Sequence, residues 1–260
     1  MATAATGKTK ATSGTPAFER RPADRALTPG LLTGKAAISW SAGKDCCAAL
    51  LRAREAGLTV ATFVTMCEAD GTSKSHLLPT DLIAAQVARF GGSWLQVLVP
   101  AGRYAESFAS TLESLVASGH THMIFGDIDL RAHRDWLEPA CAKAGLRAVF
   151  PLWGEPRAAL AAEILRRRIR ACLVIVDTAR LDRAFCGAEY DQDLLDRLPS
   201  AVCPCGEDGE FHTFVFDAPG MNRPLEVQRG ACRLLPSAPP LSPTVLAVQE
   251  LRLARAGNRA

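Results

Sequence analysis

From Lys35 onward, short apolar runs alternate with amphipathic stretches. The runs are Ala36–Trp40, Val60–Met66, Trp94–Val99, His122–Phe125, Ala148–Leu152 and Cys172–Val176. Between them, apolar residues recur at helical spacing over about Asp45–Ala56, Pro79–Phe90, Tyr104–Ser118, Ala132–Ala144 and Pro156–Arg167. Near-continuous apolar strands separated by helices predict an α/β fold, a parallel sheet covered on both faces. Gly57, Gly91 and Gly145 each follow a helix candidate, where a C-terminal cap takes a left-handed residue.

The ends of the chain depart from this rhythm. Residues 1–33 are rich in Ala, Thr, Gly, Ser and Pro with no period of two or 3.6, which predicts a disordered tail. Glu19 and Asp24 argue against a transit peptide there. The alternating region, 34–177, reads as one domain, and 178–233 as a smaller lobe. In that lobe Leu181–Leu198 is mixed, Cys203–Glu210 is rich in turn residues, and Phe211–Phe216 alternates like a strand. Residues 234–260 read as a Pro-rich connector, Pro236–Pro243, followed by a short peripheral helix.

Composition narrows the classes. A formal charge of +3 does not announce a nucleic-acid protein. No apolar run approaches the roughly 20 residues of a membrane span, and the N-terminus lacks the apolar core of a secretory signal. Nine cysteines, odd in number and scattered, read as reduced and mostly buried thiols, hence a cytoplasmic protein. His120, His122 and His133 lack metal-ligand spacing with any cysteine pair.

One junction carries candidate chemistry. The first apolar run leads through Ser41-Ala42-Gly43-Lys44-Asp45-Cys46 into a helix pattern. A strand, a Gly-containing turn and a helix N-terminus together make an anion site from backbone N–H groups. Ser41 offers a hydroxyl, Lys44 a charge for a polyphosphate, and Asp45 either a helix cap or a metal ligand. A plain connection with a capping Asp fits the spacing equally. Gly30–Lys35 has the wrong spacing for a Walker loop, and Gly7-Lys8-Thr9 lacks the upstream Gly.

Ser41–Cys46 resembles the PP-loop, S-G-G-x-D-S, of the N-type ATP pyrophosphatases. Phe125–Gly154 (FGDIDLRAHRDWLEPACAKAGLRAVFPLWG) is similar to the central signature of the diphthine–ammonia ligase family, also described as adenine nucleotide alpha hydrolase-like. Cys205–Pro219 (CGEDGEFHTFVFDAP) is similar to its second signature, G-E-x-G-E-[FY]-x-T, and Thr72–His76 to a loop before its second helix. The resemblance runs from about Ala36 to Pro224. It implies a Rossmann-like PP-loop sheet of order 3-2-1-4-5 with helices on both faces, plus a small C-terminal lobe. In that order the first and fourth strands are neighbours, so Gly126-Asp127 would face Ser41–Cys46.

By the same resemblance, ATP is split between its α and β phosphates, and ammonia displaces AMP from an acyl-adenylate. The implied nucleotide site is Ser39, Ser41, Ala42, Gly43, Lys44, Asp45, Cys46, His76, Gly126 and Asp127, with His76 either lining an adenine pocket or starting a helix. Asp45 and Asp127 are the Mg²⁺ candidates. Lys44, Asp45, Asp127, Glu207 and Glu210 are the catalytic candidates, Glu210 as base. Arg134, Trp153, Gly206, His212 and Thr213 are candidates for the acceptor side. The implied partners are ammonia and a carboxylate, on a small molecule or a protein side chain. No membrane or nucleic acid is expected, and a homodimer is compatible with the sequence. The Ala/Arg-rich composition is of a bacterial kind, in which case the acid amidated is something other than diphthine.

Two departures from the motif stand out. Ala42 replaces a Gly, which costs on the order of 1 kcal/mol if φ is positive and would crowd a phosphate. Cys46 replaces a Ser, and a thiol is the weaker donor. They keep open a nucleotide-binding protein without turnover. A tRNA-thiolating enzyme is the other alternative, suggested by Cys203-Pro204-Cys205 and by Arg166–Arg168 with Arg170, but no CxxC pair supports it.

Overall fold

The computed structural model describes residue 30, residues 32–237 and residues 243–254. Nearly all of the expected N-terminal tail, and the centre of the Pro-rich connector, lie outside the described residues.

The first five apolar runs form β1 (Lys35–Ser39), β2 (Thr59–Cys67), β3 (Ser93–Leu98), β4 (His122–Ile124) and β5 (Arg147–Val149). They pair in parallel in the order β3-β2-β1-β4-β5, as the resemblance implied. The helices between them are α1 (Lys44–Glu55), α2 (Thr80–Arg89), α3 (Tyr104–Ala117) and α4 (Arg131–Ala144). Strand alternation splits the core in two. Ala36, Ile38 and Phe63 face one side with α1 and α2, while Ala37 and Val64 face α3 and α4 through Phe108, Leu112 and Leu137. Gly57, Gly91 and Gly145 all take positive φ, as their places after helices predict.

The sixth run differs from expectation. After α5 (Arg157–Arg166), β6 (Arg170–Asp177) leaves the parallel sheet and joins an antiparallel one of order β7-β6-β9-β8. Its partners are β7 (Phe211–Asp217), β8 (Val227–Pro236) and β9 (Val245–Leu253). A strand buried on both faces reads the same in either sheet, so β6 carried no local sign of its partner. A short helix, α6 (Gln192–Arg197), lies in the mixed stretch before β7.

Two further expectations are corrected. Over its described residues the C-terminal stretch is a strand and not a helix: Ala247, Gln249 and Leu251 are buried at a period of two, and β9 pairs with both β6 and β8. β8 also runs through Pro236, into what read as connector. At the other end, Leu32 does not belong to a free tail. Its side chain is buried in the core, and its N–H, like that of Gly30, bonds a carbonyl at the end of α1.

The two sheets share one core. Cys172, Leu173 and Val174 of β6 and Phe211, Phe214 and Val215 of β7 pack into the same apolar cluster as α1. The C-terminal lobe is thereby set against the loop between β1 and α1.

Candidate nucleotide site

β1 ends at Ser39, and the chain turns through Ser41–Gly43 into the first turn of α1. Ala42 makes the turn at φ +67°, the left-handed conformation that a Gly adopts at no steric cost. Its Cβ does not crowd the site, because the residue is fully buried in the core cluster. Cys46 points inward as well. Its thiol donates to Gly43 O at 3.1 Å and accepts from the Ser41 hydroxyl at 3.4 Å. Burial pushes the Cys46 pKa up to about 11, so it is a neutral thiol at ordinary pH.

Gly126, after β4, lies against this turn: a Cβ built there would stand 2.9 Å from Cys46 N. The expected facing of the Ser41–Cys46 and Gly126-Asp127 loops is therefore observed. β7 closes the other side. Thr213 Oγ1 accepts from Lys44 N at 3.1 Å, and Val215 N donates to Ala42 O at 2.9 Å.

A cavity of about 580 Å³ opens at the carboxyl ends of the parallel strands, a size typical of small-molecule sites. Its polar end includes Ser39, Ser41, Lys44, Asp45, Cys46 and His76. Gly126, Asp127, Gly206, Glu207, His212 and Thr213 complete that end. Tyr104, Phe108, Leu130 and Trp136 line the apolar end. His76 precedes α2 and does not start it, and it meets His212 edge-on at 4.7 Å between ring centroids. Burial and the nearby Lys44 hold both imidazoles neutral: His212 is lowered to about 4, and His76, which also faces His212, well below its ordinary value.

Lys44 is buried, with its ammonium on Asp45 Oδ2 at 2.8 Å and Cys205 O at 2.5 Å. Burial opposes its charge, but Asp45 outweighs that together with its other neighbours and raises the pKa. Its charge thus sits between the loop and the C-terminal lobe. Asp45 Oδ1 is buried and has no hydrogen-bond partner among the described residues. An orphaned carboxylate oxygen in the first turn of α1, on the wall of this cavity, suits Mg²⁺, which takes one or two carboxylates and completes its shell with phosphate and water. Asp127 lines the same cavity and accepts from His133 Nδ1 at 2.9 Å. Among the described residues no three His, Cys, Asp or Glu side chains gather as a metal site, so the fit is to an ion that needs only two carboxylates, Asp45 and Asp127.

Burial, then Asp45, raises the Glu207 carboxyl to about 8; Lys44 pulls the other way, and Asp129 adds a lesser push upward. It faces the cavity; Glu210 does not. Glu210 is buried with its carboxylate accepting from Cys203 N at 2.7 Å and Asp208 N at 3.0 Å, so it ties its own loop and is not placed as a base. Arg134 and Trp153 are likewise away from the cavity. The Arg134 guanidinium is 4.6 Å from the Trp153 ring and 5.0 Å from that of Phe150, a buried cation–π stack behind β5. Cys203 and Cys205 are buried, and the Cys205 thiol donates to Arg157 O.

Two residues that brace the site had no sign in the sequence. Arg157 bonds Asp129 at 2.7 and 3.0 Å and Asp208 at 2.8 Å, joining the loop after β4 to the loop carrying Glu207. Gln86 joins the Ser41–Cys46 loop to β7 from α2. Both work between elements distant in sequence, which no local spacing encodes.

Residues 34–148 match the family described as "Diphthamide synthase N-terminal domain", and residues 156–234 the one described as "Diphthamide synthase C-terminal domain". The chain belongs to the diphthamide synthase family. Membership makes the chain a PP-loop ATP pyrophosphatase family member, and Ser41–Cys46 is the stretch that resembles the loop. The boundary between the two matches falls before α5, so the family division gives β6 to the C-terminal part, as the sheets do. No curated protein matches the chain. Among solved structures, a predicted subunit of tRNA methyltransferase from Methanocaldococcus jannaschii is 13% identical, with a TM-score of 0.36, over 58% of this chain and 84% of that one. Among the described residues no helix is long and apolar enough to cross a membrane.

Proposed function

We propose that this diphthamide synthase family member is an ATP-dependent, AMP-forming ligase that adenylates a carboxylate and amidates it with ammonia. The observation that carries the reading is the single cavity in which the PP-loop, Gly126-Asp127 and Glu207 with His212 meet. An anion site thus adjoins a half-buried carboxyl, Glu207, which burial and the neighbouring Asp45 raise to about 8.

A carboxylate is inert to amines until one oxygen becomes part of a good leaving group. In the first step that oxygen bonds the α-phosphorus of ATP, and the bond from this phosphorus to the pyrophosphate oxygen breaks. The N-terminus of α1 and the Lys44 charge offset the negative charge that departs. Mg²⁺, held by Asp45 and Asp127, would supply further neutralisation of the polyphosphate. In the second step the nitrogen of ammonia bonds the acyl carbon, the bond to AMP breaks, and a proton passes to a base. Glu207 is that base: its raised pKa suits proton transfer near pH 8. His76 and His212, kept neutral, can hydrogen-bond nucleotide or acceptor without adding charge.

The acceptor is a carboxylate on a small molecule or a protein side chain, and the compartment is the cytoplasm, consistent with nine free cysteines. Incubation of the purified protein with ATP, Mg²⁺, ammonium and a panel of carboxylates tests the reading; amide and AMP formed in equal amounts support it. A second reading is nucleotide binding without turnover, favoured by the Cys46 thiol, which is turned onto Gly43 O. Tight ATP binding with no AMP under any condition would select it.

A further inference from the structure

Gln86 lies on the inward face of α2 with no exposed surface, beside Leu82, Ile83 and Val87. An apolar residue would suit that place, yet the amide is fully used. Trp40 Nε1 donates to Gln86 Oε1 at 2.8 Å, and Gln86 Nε2 donates to Ala42 O at 3.1 Å and to Val215 O at 2.5 Å. One donor and two acceptors face it, so only one orientation of the amide satisfies all three.

The three partners belong to three parts of the site. Trp40 follows β1, Ala42 is the left-handed residue of the PP-loop, and Val215 is on β7, two residues from Thr213. Ala42 O also accepts from Val215 N at 2.9 Å. The loop and β7 are therefore joined directly, by Val215 N to Ala42 O, and a second time through Gln86. Buried polar groups left unpaired are costly, so this node holds one geometry against its alternatives.

We infer that Gln86 is a positioning residue, which fixes the PP-loop against β7 so that the loop amides and the His212–Thr213 segment keep a single relative placement. It is not among the residues that line the cavity. The nucleotide side of this inference rests on the function proposed above.

The test compares Gln86→Met, Trp40→Phe and the double variant. Two readouts apply: hydrogen exchange of the backbone amides of residues 41–46 without nucleotide, and ATP affinity by calorimetry. Gln86→Met is expected to speed loop exchange and weaken ATP binding, each roughly tenfold. Trp40→Phe leaves both carbonyl bonds in place and should change loop exchange by no more than about twofold. The double variant removes the indole N–H that Gln86→Met orphans, so it should lose less melting temperature than the two single variants summed, while its loop stays fast. Unchanged loop exchange in Gln86→Met, or a loop restored in the double variant, would overturn the role. Should Gln86→Met not fold, the double variant decides alone. A wild-type protein that binds no ATP would refute the proposed function, and the exchange comparison would still decide the role of Gln86.

Discussion

Gly126 and Cys46 come so close that only a missing side chain permits the contact. The ideal Cβ of residue 126 would stand 2.9 Å from Cys46 N and 3.1 Å from Cys46 Cα, and both neighbours are backbone. The glycine is needed for close approach, since its φ is not in the left-handed region. Gly126→Ala is expected to push the β4 loop off α1 and cost about 1–3 kcal/mol, read from the denaturant midpoint. ATP affinity should fall with it, because the same contact sets the two walls of the cavity.

Ala42 poses the opposite question, a side chain where glycine fits the backbone. Its left-handed φ costs about 1–2 kcal/mol. Against that, its buried methyl contributes about 0.8 kcal/mol, and a glycine would add about 0.5–1 kcal/mol of unfolded-state entropy. These nearly cancel, so Ala42→Gly should shift unfolding free energy by less than about 1 kcal/mol either way. The same measurement explains how the loop tolerates Ala.

Cys46 is expected to act as a structural thiol. With its pKa pushed up to about 11 by burial, it should resist alkylation by iodoacetamide at pH 8 in the folded protein. Cys46→Ser keeps a donor toward Gly43 O and should retain ATP affinity, with turnover equal or higher. Lost turnover with intact binding would give the sulfur a chemical role.

Glu207 gives a pH dependence with a defined sign. Its folded pKa, about 8, lies above its ordinary 4.5, so across that interval the folded state binds more protons than the unfolded. Stability therefore falls as pH rises from about 4.5 to about 8, and this contribution then levels off. Glu207→Gln should flatten that part of the stability profile. In turnover the ionised form is the base, so activity should climb through about pH 8, and the variant should lose that limb.

Much of this arrangement was legible in the sequence, and the limits have physical causes. β1 to β5 and their helices were readable because near-continuous apolar runs and amphipathic helices differ in period, and Gly57, Gly91 and Gly145 punctuated them. The PP-loop and Gly126 were found by motif and order. β6 was misassigned because burial on two faces does not reveal which sheet a strand joins. β9 was mistaken for a helix because the polarity of Val245–Leu253 does not follow its burial: Gln249 is polar at a buried place, while Leu246 and Val248 are apolar at half-buried ones. Glu210, Arg134 and Trp153 were placed at the site by motif or proximity, yet one ties a loop and two stack in the core. Gln86 and Arg157 show the converse: their roles lie in partners between 28 and 129 residues away.

The most direct measurement follows the nucleotide product when the purified protein, ATP labelled in the α-phosphate, Mg²⁺, ammonium and a carboxylate panel are combined. Cleavage between the α and β phosphates predicts labelled AMP with pyrophosphate, dependent on both carboxylate and ammonium for amide release. Labelled ADP as the product would contradict adenylation.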